Sequence, residues 1–184
     1  PGTVFTFVIT RNLEKIYDVG TALQALARVQ AEAANDTTAP ALRLVVAGSG
    51  PEEGALRAQA QSLGIADIVH FAGRLGRDEV AAIYREADAL LNPTTVDNMP
   101  NSVIEALASG VPVISTDVGG VPYIVTHEKT ALLVPAQNAD AMAAAMRRLM
   151  ADADLRARLA RAGLASVTDY TWPRVRGQWL AQYR

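Results

Sequence analysis

Short apolar runs alternate along the chain with alanine-rich stretches that have helical spacing. The runs are rich in β-branched residues and comprise Val4–Thr10, Leu42–Ala47, Ile68–Ala72, Ala89–Leu91, Val111–Ser115 and Ala131–Val134. The helical stretches are Val19–Ala34, Glu52–Leu63, Arg77–Ala87, Ser102–Ser109 and Ala139–Met150. Apolar strands separated by amphipathic helices are typical of a parallel sheet covered on both faces. The sequence therefore predicts a doubly wound α/β domain with a six-stranded parallel sheet and a ligand site at the carboxyl ends of its strands.

Composition excludes several classes of protein. The 184 residues suffice for one domain, and we expect a single domain over residues 1–184. The absence of cysteine excludes disulfides, thiolate zinc sites and a cysteine nucleophile. A net charge of −2 gives no general reason to bind nucleic acid. No apolar run approaches the ~18 residues of a membrane-spanning helix, so we expect a cytoplasmic protein.

Two further helices are predicted at the end of the chain, over Asp152–Ser166 and Trp172–Arg184, the second with Thr171 as its N-cap. From Arg147 to Arg184 the chain carries eight arginines and three aspartates. This excess of positive charge is typical of solvated helix faces. The alternative is a surface for an acidic partner or a membrane.

Cationic side chains follow the first predicted strand. Arg11 and Lys15 lie in the segment Thr10-Arg11-Asn12-Leu13-Glu14-Lys15. An arginine at the carboxyl end of a strand can bind a phosphate through two parallel hydrogen bonds. The segment therefore indicates either a phosphate site or a solvated loop.

Glycines follow the second predicted strand, in Gly48-Ser49-Gly50-Pro51-Glu52-Glu53-Gly54. The spacing is GxGxxxG, whereas the dinucleotide fingerprint is GxGxxG, and Pro51 removes a backbone donor. Arg74 follows the next strand, where it could meet the 2′-phosphate of NADP. An NAD(P)-dependent oxidoreductase is thus one interpretation of this segment, and a tight turn is the other.

The segment from Asn92 to Gly110 is the most informative. A polar loop opens a short helix, and we expect Asn101 or Ser102 to cap it. Asp97 on the loop and Glu105 about one turn inside the helix could flank a polyhydroxylated ligand such as a ribose. The alternative is an Asx turn at Asp97 and a carboxylate at Glu105 that interacts only with the helix dipole.

Several of these segments together carry a family resemblance. They are Arg11-Asn12-Leu13, Gly48-Ser49-Gly50-Pro51, Phe71-Ala72-Gly73, Asp97-x7-Glu105, Glu105-Ala106-Leu107-Ala108-Ser109-Gly110-Val111-Pro112-Val113 and Gly119-Gly120. In this order they resemble the C-terminal, donor-binding half of retaining GT-B glycosyltransferases of group 1, or family 4, over nearly the whole chain. The chain departs from the family at Asp97, where a glutamate is usual, and at the family lysine, whose position falls on Ile16 beside Lys15.

The resemblance implies a Rossmann-like domain, one half of a GT-B fold, that binds a nucleotide-sugar as substrate and requires no metal or other cofactor. Arg11 would bind the donor diphosphate with Lys15 as a second cation, and Glu105 would bind the ribose. The backbone near Arg74 and Leu75 would contact the base, and Gly48 and Gly50 of the glycine turn would also belong to the donor site. The transferred sugar would meet Asp97 and the backbone of Asn98, Met99, Pro100 and Asn101. Arg11, Asp97 and Glu105 would be the catalytic residues.

The implied reaction is hexosyl transfer from a nucleotide-sugar to an acceptor hydroxyl with retention of configuration. In the family the acceptor is bound by an N-terminal domain, so we expect this chain to be a fragment that is inactive alone. Peripheral membrane association of the full-length protein is a further expectation. The alternatives are a non-catalytic nucleotide- or sugar-binding module and the NAD(P)-dependent oxidoreductase above.

Overall fold

The computed structural model describes residues 4–34, 36, 38–170 and 176. Its strands are β1 (Val4–Thr10), β2 (Ala41–Ala47), β3 (Val69–Gly73), β4 (Ala89–Asn92), β5 (Val113–Thr116) and β6 (Leu132–Val134). Its α-helices are α1 (Val19–Ala33), α2 (Glu53–Ser62), α3 (Arg77–Glu86), α4 (Asn101–Ala108), α5 (Val121–Ile124), α6 (Ala139–Ala151) and α7 (Ala153–Ser166). Apart from Arg176, the predicted helix over Trp172–Arg184 and its N-cap Thr171 lie outside the described residues.

The six strands form one sheet in the order β3-β2-β1-β4-β5-β6, and every pairing is parallel. β1 pairs along its whole length with β2, from Val4 opposite Ala41 to Thr10 opposite Ala47. On its other side β1 pairs with β4. The chain order reverses between β1 and β4, and doubly wound domains bind their ligands in the crevice above such a reversal. The predicted fold class is confirmed.

The hydrophobic core lies on both faces of the sheet. Successive side chains of β1 point to opposite faces, so that Phe7 and Ile9 belong to one cluster and Val8 to the other. The first cluster packs under α1, α2, α6 and α7. The second packs under α3, α4 and α5. The strands other than β3 are therefore covered on both sides, which explains their apolar runs, whereas the edge strand β3 is only partly buried and has His70 exposed.

The element boundaries differ from the predicted ones by one or two residues, and one short helix was not predicted. β5 starts at Val113, after Pro112, which has no N–H for the strand ladder. The unpredicted helix α5 spans four residues from Val121 to Ile124 and has Pro122 in its first turn. Such a short helix has no apolar periodicity to detect.

Four of the five arginines in the last two described helices bind acceptors within the domain. Arg147 donates to Glu32, Arg148 to Glu128, and Arg158 to the Glu128 backbone carbonyl. Arg156 donates to the carbonyls of the α6 C-terminus. These pairings favour the interpretation as solvated helix faces over a surface for an acidic partner. In the described residues, no helix has the length and apolar character required to cross a membrane.

Candidate binding cleft at the carboxyl ends of the strands

A cleft of about 690 Å³ opens at the carboxyl ends of β1 and β2, beside the reversal of the chain order. Its floor is formed by the ends of these strands, one wall by α4, and another by α3 with the loop that precedes it. The lining residues are Thr10, Arg11, Asn12, Ala47, Gly48, Ser49, Arg74, Leu75, Gly76, Arg77, Val80, Ala81, Tyr84, Glu105, Ala108 and Ser109. The cleft thus lies where the fold predicts a ligand.

Arg11 lies in the first loop, directly after β1, and most of its side chain is buried. One terminal nitrogen, Nη2, donates to the Asp97 carboxylate, and the other, Nη1, donates to the Ser102 hydroxyl at 3.4 Å. The guanidinium carbon lies 4.2 Å from the centre of the Tyr17 ring. The buried Nε has no hydrogen-bond partner among the described residues. Arg11 is therefore a fixed cation that retains unused N–H donors at the edge of the cleft.

Asp97 has two contacts that fix its carboxylate. One oxygen accepts from Arg11, and the other accepts from the Met99 backbone N–H at 3.1 Å. The second contact is the Asx turn that was the alternative interpretation of this residue. The predicted cap of α4 is wrong, because the N-cap is Pro100 and no side chain caps the helix. The Ser102 hydroxyl contacts Arg11 instead.

Glu105 projects from α4 at the wall of the cleft and is exposed. Its Oε2 lies 3.4 Å from the hydroxyl of Tyr84, which belongs to α3. That hydroxyl also lies 2.6 Å from the Thr10 hydroxyl and donates to the Ser102 carbonyl at 3.1 Å. Burial raises the pKa of the Tyr84 phenol far above its ordinary value. Tyr84 therefore stays neutral and links the two walls of the cleft to the end of β1.

The two glycine turns bring the loops into close backbone contact. A Cβ on Gly48 would lie 1.9 Å from the Arg11 carbonyl oxygen, and one on Gly50 would lie 2.3 Å from that of Leu13. The Gly48 N–H donates to the Gly73 carbonyl at 2.7 Å. The turn after β2 is thus a packing surface for the loop that carries Arg11. Because its first N–H is already used, the turn gives little support to the dinucleotide interpretation.

The second glycine pair supports Asp97 in the same way. A Cβ on Gly119 would lie 2.1 Å from the Asp97 carbonyl oxygen, and one on Gly120 would lie 1.7 Å from that of Asn98. The Gly120 N–H donates to the Asp97 carbonyl at 2.7 Å. The β5–α5 loop therefore fixes the backbone of the β4–α4 loop.

The structure brings some of the predicted site residues together and leaves others apart. Those that line the cleft are Arg11, Gly48, Arg74, Leu75 and Glu105. Lys15 lies in a separate cavity of about 290 Å³ with Glu14, Asp18 and Glu52. Gly50 faces Leu13, and the loop residues Asn98, Met99 and Asn101 are exposed beyond the cleft, with Pro100 buried. Asp97 reaches the cleft only through Arg11.

Sequence reasoning missed Tyr17, Tyr84 and the role of Ser102. Tyr84 carried one detectable signal, since a tyrosine on an apolar helix face must place its hydroxyl beside a polar partner when buried. Tyr17 carried no such signal, because its contact with Arg11 depends on how the loop after β1 turns.

The sheet order and the cleft define a doubly wound α/β domain of the kind that binds nucleotide-containing ligands. The family described as glycosyl transferases group 1 matches residues 1–165. The chain therefore belongs to this family, and the resemblance seen in its motifs is confirmed.

Two curated relatives show the extent of the similarity. The chain is 36% identical over 132 residues to a GDP-mannose-dependent alpha-(1-6)-phosphatidylinositol monomannoside mannosyltransferase of Mycobacterium tuberculosis, covering 68% of the chain and 34% of the relative. It is 34% identical over 166 residues to a D-inositol 3-phosphate glycosyltransferase of Stackebrandtia nassauensis, covering 88% of the chain and 37% of the relative. The chain thus spans about a third of the length of these relatives.

Solved structures show the same fold. Sucrose-phosphate synthase from Thermosynechococcus elongatus is 27% identical, with a TM-score of 0.84 over 98% of this chain and 45% of that one. The C-terminal domain of a group 1 family glycosyl transferase from Francisella tularensis has a TM-score of 0.80 at 21% identity, over 91% of this chain and 87% of that one. Anabaena HepE in complex with UDP-glucose has a TM-score of 0.84 at 18% identity, over 97% of this chain and 48% of that one. The predicted half of a GT-B fold is confirmed.

Proposed function

We propose that this domain binds the donor nucleotide-sugar of a glycosyltransferase that moves a hexosyl group to an acceptor hydroxyl with retention of configuration. The observation that carries the proposal is the cleft itself, which is lined by both a fixed arginine and an exposed glutamate at the carboxyl ends of the strands. A nucleotide-sugar combines the two groups that such a pair recognises, a diphosphate and a ribose. The names of the relatives agree, since one depends on GDP-mannose and a structural neighbour contains UDP-glucose.

Arg11 is the proposed diphosphate ligand. It is a cation that is always charged, and three of its five N–H donors have no partner in the contacts described above. Lys15 is a weaker candidate than the sequence suggested, because it lies in the separate cavity with three carboxylates. We therefore assign the diphosphate to Arg11 and to the uncapped N-terminal end of α4.

Glu105 is the proposed ribose ligand. A carboxylate accepts hydrogen bonds from two vicinal hydroxyls, and each such charged bond contributes roughly 1.5–3 kcal/mol. The backbone of Arg74 and Leu75 lies in the loop before α3, on the wall which we assign to the base. The backbone of residues 98–101, with Asp97, remains the proposed contact of the transferred sugar.

In the proposed reaction the bond between the anomeric carbon and the diphosphate oxygen breaks, and the diphosphate leaves with its electron pair. The acceptor hydroxyl forms the new bond on the same face of the sugar and gives up its proton to the departing diphosphate. Fixed positive charge at Arg11 and at the α4 N-terminus would stabilise the leaving group, an effect that contributes several kcal/mol in comparable sites. We propose that no metal is required and that the protein acts in the cytoplasm.

A thermal-shift and calorimetric titration with UDP, GDP, UDP-glucose, GDP-mannose and NADP tests the proposal. A ligand that binds only the native state raises the melting temperature by mass action, so we expect a shift with at least one nucleoside diphosphate and none with NADP. Glu105→Gln should weaken that binding about tenfold or more, because charged hydrogen bonds to the ribose are lost. The matched control is Glu86→Gln, at the exposed end of α3 and outside the cleft. No shift with any nucleotide at millimolar concentration would contradict the proposal.

A further inference from the structure

Tyr17 stacks on the guanidinium of Arg11, at 4.2 Å from ring centre to guanidinium carbon. The tyrosine ends a short 3₁₀ turn over Lys15–Tyr17, which follows the loop that carries Arg11. Its N–H donates to the Glu14 carbonyl at 3.0 Å, and Asp18 leaves the turn in the left-handed conformation, with φ of 43°. The Tyr17 ring therefore projects from a hydrogen-bonded turn.

The turn is also hydrogen-bonded to the β4–α4 loop. The carbonyl of Ile16 accepts from the Thr95 N–H at 2.8 Å, from the Thr94 hydroxyl at 3.1 Å and from the Thr95 hydroxyl at 3.0 Å. The same loop carries Asp97, which pairs with Arg11. Tyr17 and Asp97 are therefore held in a fixed relation to each other on either side of the arginine.

The contacts of Arg11 differ in what they require from it. Asp97 and Ser102 each accept one of its N–H groups at the edge of the guanidinium plane. The tyrosine face uses none, since its attraction to the cation comes from the ring quadrupole. When a diphosphate takes N–H donors from Asp97 or Ser102, the stacking contact remains available.

We infer that Tyr17 is a positioning residue for Arg11: its ring fixes the plane of the guanidinium so that the N–H fork stays presented to a diphosphate. The inference rests on the proposed function, because it assigns the ligand of Arg11 to the donor diphosphate. A fork of fixed plane can make two parallel bonds to phosphate oxygens, whereas a tilting one cannot. The aromatic ring carries this role, and the phenolic hydroxyl is not required for it.

The test compares Tyr17→Phe, Tyr17→Leu and Tyr17→Met by calorimetric titration with UDP and with GDP. Tyr17→Phe keeps the ring and should leave the Kd within about twofold of the parent. Tyr17→Leu and Tyr17→Met fill the space without a ring, and we expect a Kd about five- to tenfold higher, the scale of a partly desolvated cation–π contact. Either variant serves if the other fails to fold, and melting temperatures identify the folded ones.

A second arm places the same changes in an Arg11→Met background. A residue that acts through Arg11 should lose its effect there, so Tyr17→Leu should then change the Kd less than about twofold. An unchanged Kd for folded Tyr17→Leu, an equal loss in both backgrounds, or a Tyr17→Phe variant as weak as Tyr17→Leu would each overturn the inference. If the parent chain binds neither UDP nor GDP, the proposed function is overturned, and the inference with it.

Discussion

Arg11 and Asp97 lie 86 positions apart in the sequence, yet they form an ion pair in which each side chain is only about one-tenth exposed. Removing one partner of such a pair leaves the other charge buried without compensation, at a cost of about 3–5 kcal/mol. The same pairing sets a negative charge beside the proposed diphosphate ligand. Asp97 therefore balances the charge of Arg11, and we expect it to compete with a bound phosphate for the arginine.

The substitution Asp97→Asn should tighten the binding of a nucleoside diphosphate about threefold or more. The amide keeps an oxygen for only one of the two donors, Arg11 or the Met99 N–H, but it removes the charge that repels the phosphates. Calorimetric titration with UDP and GDP measures the Kd of Asp97→Asn. The same titration of Glu105→Gln should show the opposite effect, a weaker binding. Weaker binding of folded Asp97→Asn would show that Asp97 orients Arg11 and does not compete for it.

Tyr84→Phe should change how stability depends on pH. The folded-state pKa of this phenol is raised, mainly by burial, above its ordinary value of 10.0. Its contribution to stability is thus fully present below about pH 10 and is lost as the unfolded chain ionises at higher pH. We expect the parent to be more stable than Tyr84→Phe at pH 8, and this advantage to shrink by pH 11. Urea unfolding at both pH values measures it, and a constant difference would contradict the assignment.

The sequence predicted those site residues whose position follows from a strand end. Arg11 directly follows β1, and Glu105 lies one turn inside α4, so topology alone brings both to the cleft. Tyr17 and Ser102 were missed because each contacts Arg11, whose placement depends on a loop conformation, and Tyr84 was missed although its position on an apolar helix face was a detectable signal. The position of Lys15 illustrates the same limit, since a 3₁₀ turn directs it into a different cavity from Arg11.

The loops at the carboxyl edge of the sheet are supported by glycines in neighbouring loops. Gly120 has φ of −82° and ψ of −10°, a conformation that alanine adopts readily. Glycine is required here for steric reasons and not by the backbone conformation, since a Cβ would lie 1.7 Å from the Asn98 carbonyl oxygen. Two loops thus pack backbone to backbone without an intervening side chain.

Gly120→Ala should lower the melting temperature and weaken nucleotide binding, because the Asn98 carbonyl must shift and Asp97 with it. The matched control is Gly54→Ala in α2, where a Cβ would meet nothing within 4 Å. There we expect a gain of about 0.5–1 kcal/mol, since alanine favours the helix. Differential scanning calorimetry and titration with UDP or GDP distinguish the two. Equal stability of both variants would contradict the packing role of Gly120.

At the level of elements, the apolar periodicity predicted all six strands, because five of them are largely buried on both faces and the edge strand β3 is partly buried. It predicted α1 to α4, α6 and α7 for a related reason, namely that one face of each packs on the sheet. It could not predict α5 or the 3₁₀ turns, which are too short to repeat an apolar position. The N-cap of α4 was also predicted incorrectly, because this position is Pro100 and not the polar residue that we expected.

The domain offers its cleft on one edge of a single sheet, and its matched part covers only 34% and 37% of two curated relatives. Transfer requires an acceptor hydroxyl held against the anomeric carbon, an orientation that can account for some 7–11 kcal/mol of a barrier. The residues described at this edge are assigned to the donor. We therefore expect donor binding and sugar transfer to be separable properties.

We expect the 184-residue chain alone to bind a nucleotide-sugar but to transfer no sugar. The measurement supplies radiolabelled GDP-mannose or UDP-glucose and an acceptor extract to this chain and to a longer protein that contains it. Transfer by the short chain at a rate comparable to the longer one would contradict the expectation. Binding without transfer by both would favour a non-catalytic nucleotide-sugar module.

The backbone contacts between neighbouring loops also decide which parts of this domain can be exchanged with a relative. The β4–α4 loop fits against the β5–α5 loop only because residues 119 and 120 lack a Cβ. The loop after β1 fits against the turn after β2 only because residues 48 and 50 also lack one. A chimaera that imports one loop without its partner would join two surfaces that did not arise together. The loops at this edge are therefore matched in pairs, and we expect a loop exchange with a relative to succeed only when both members of a pair are moved at once.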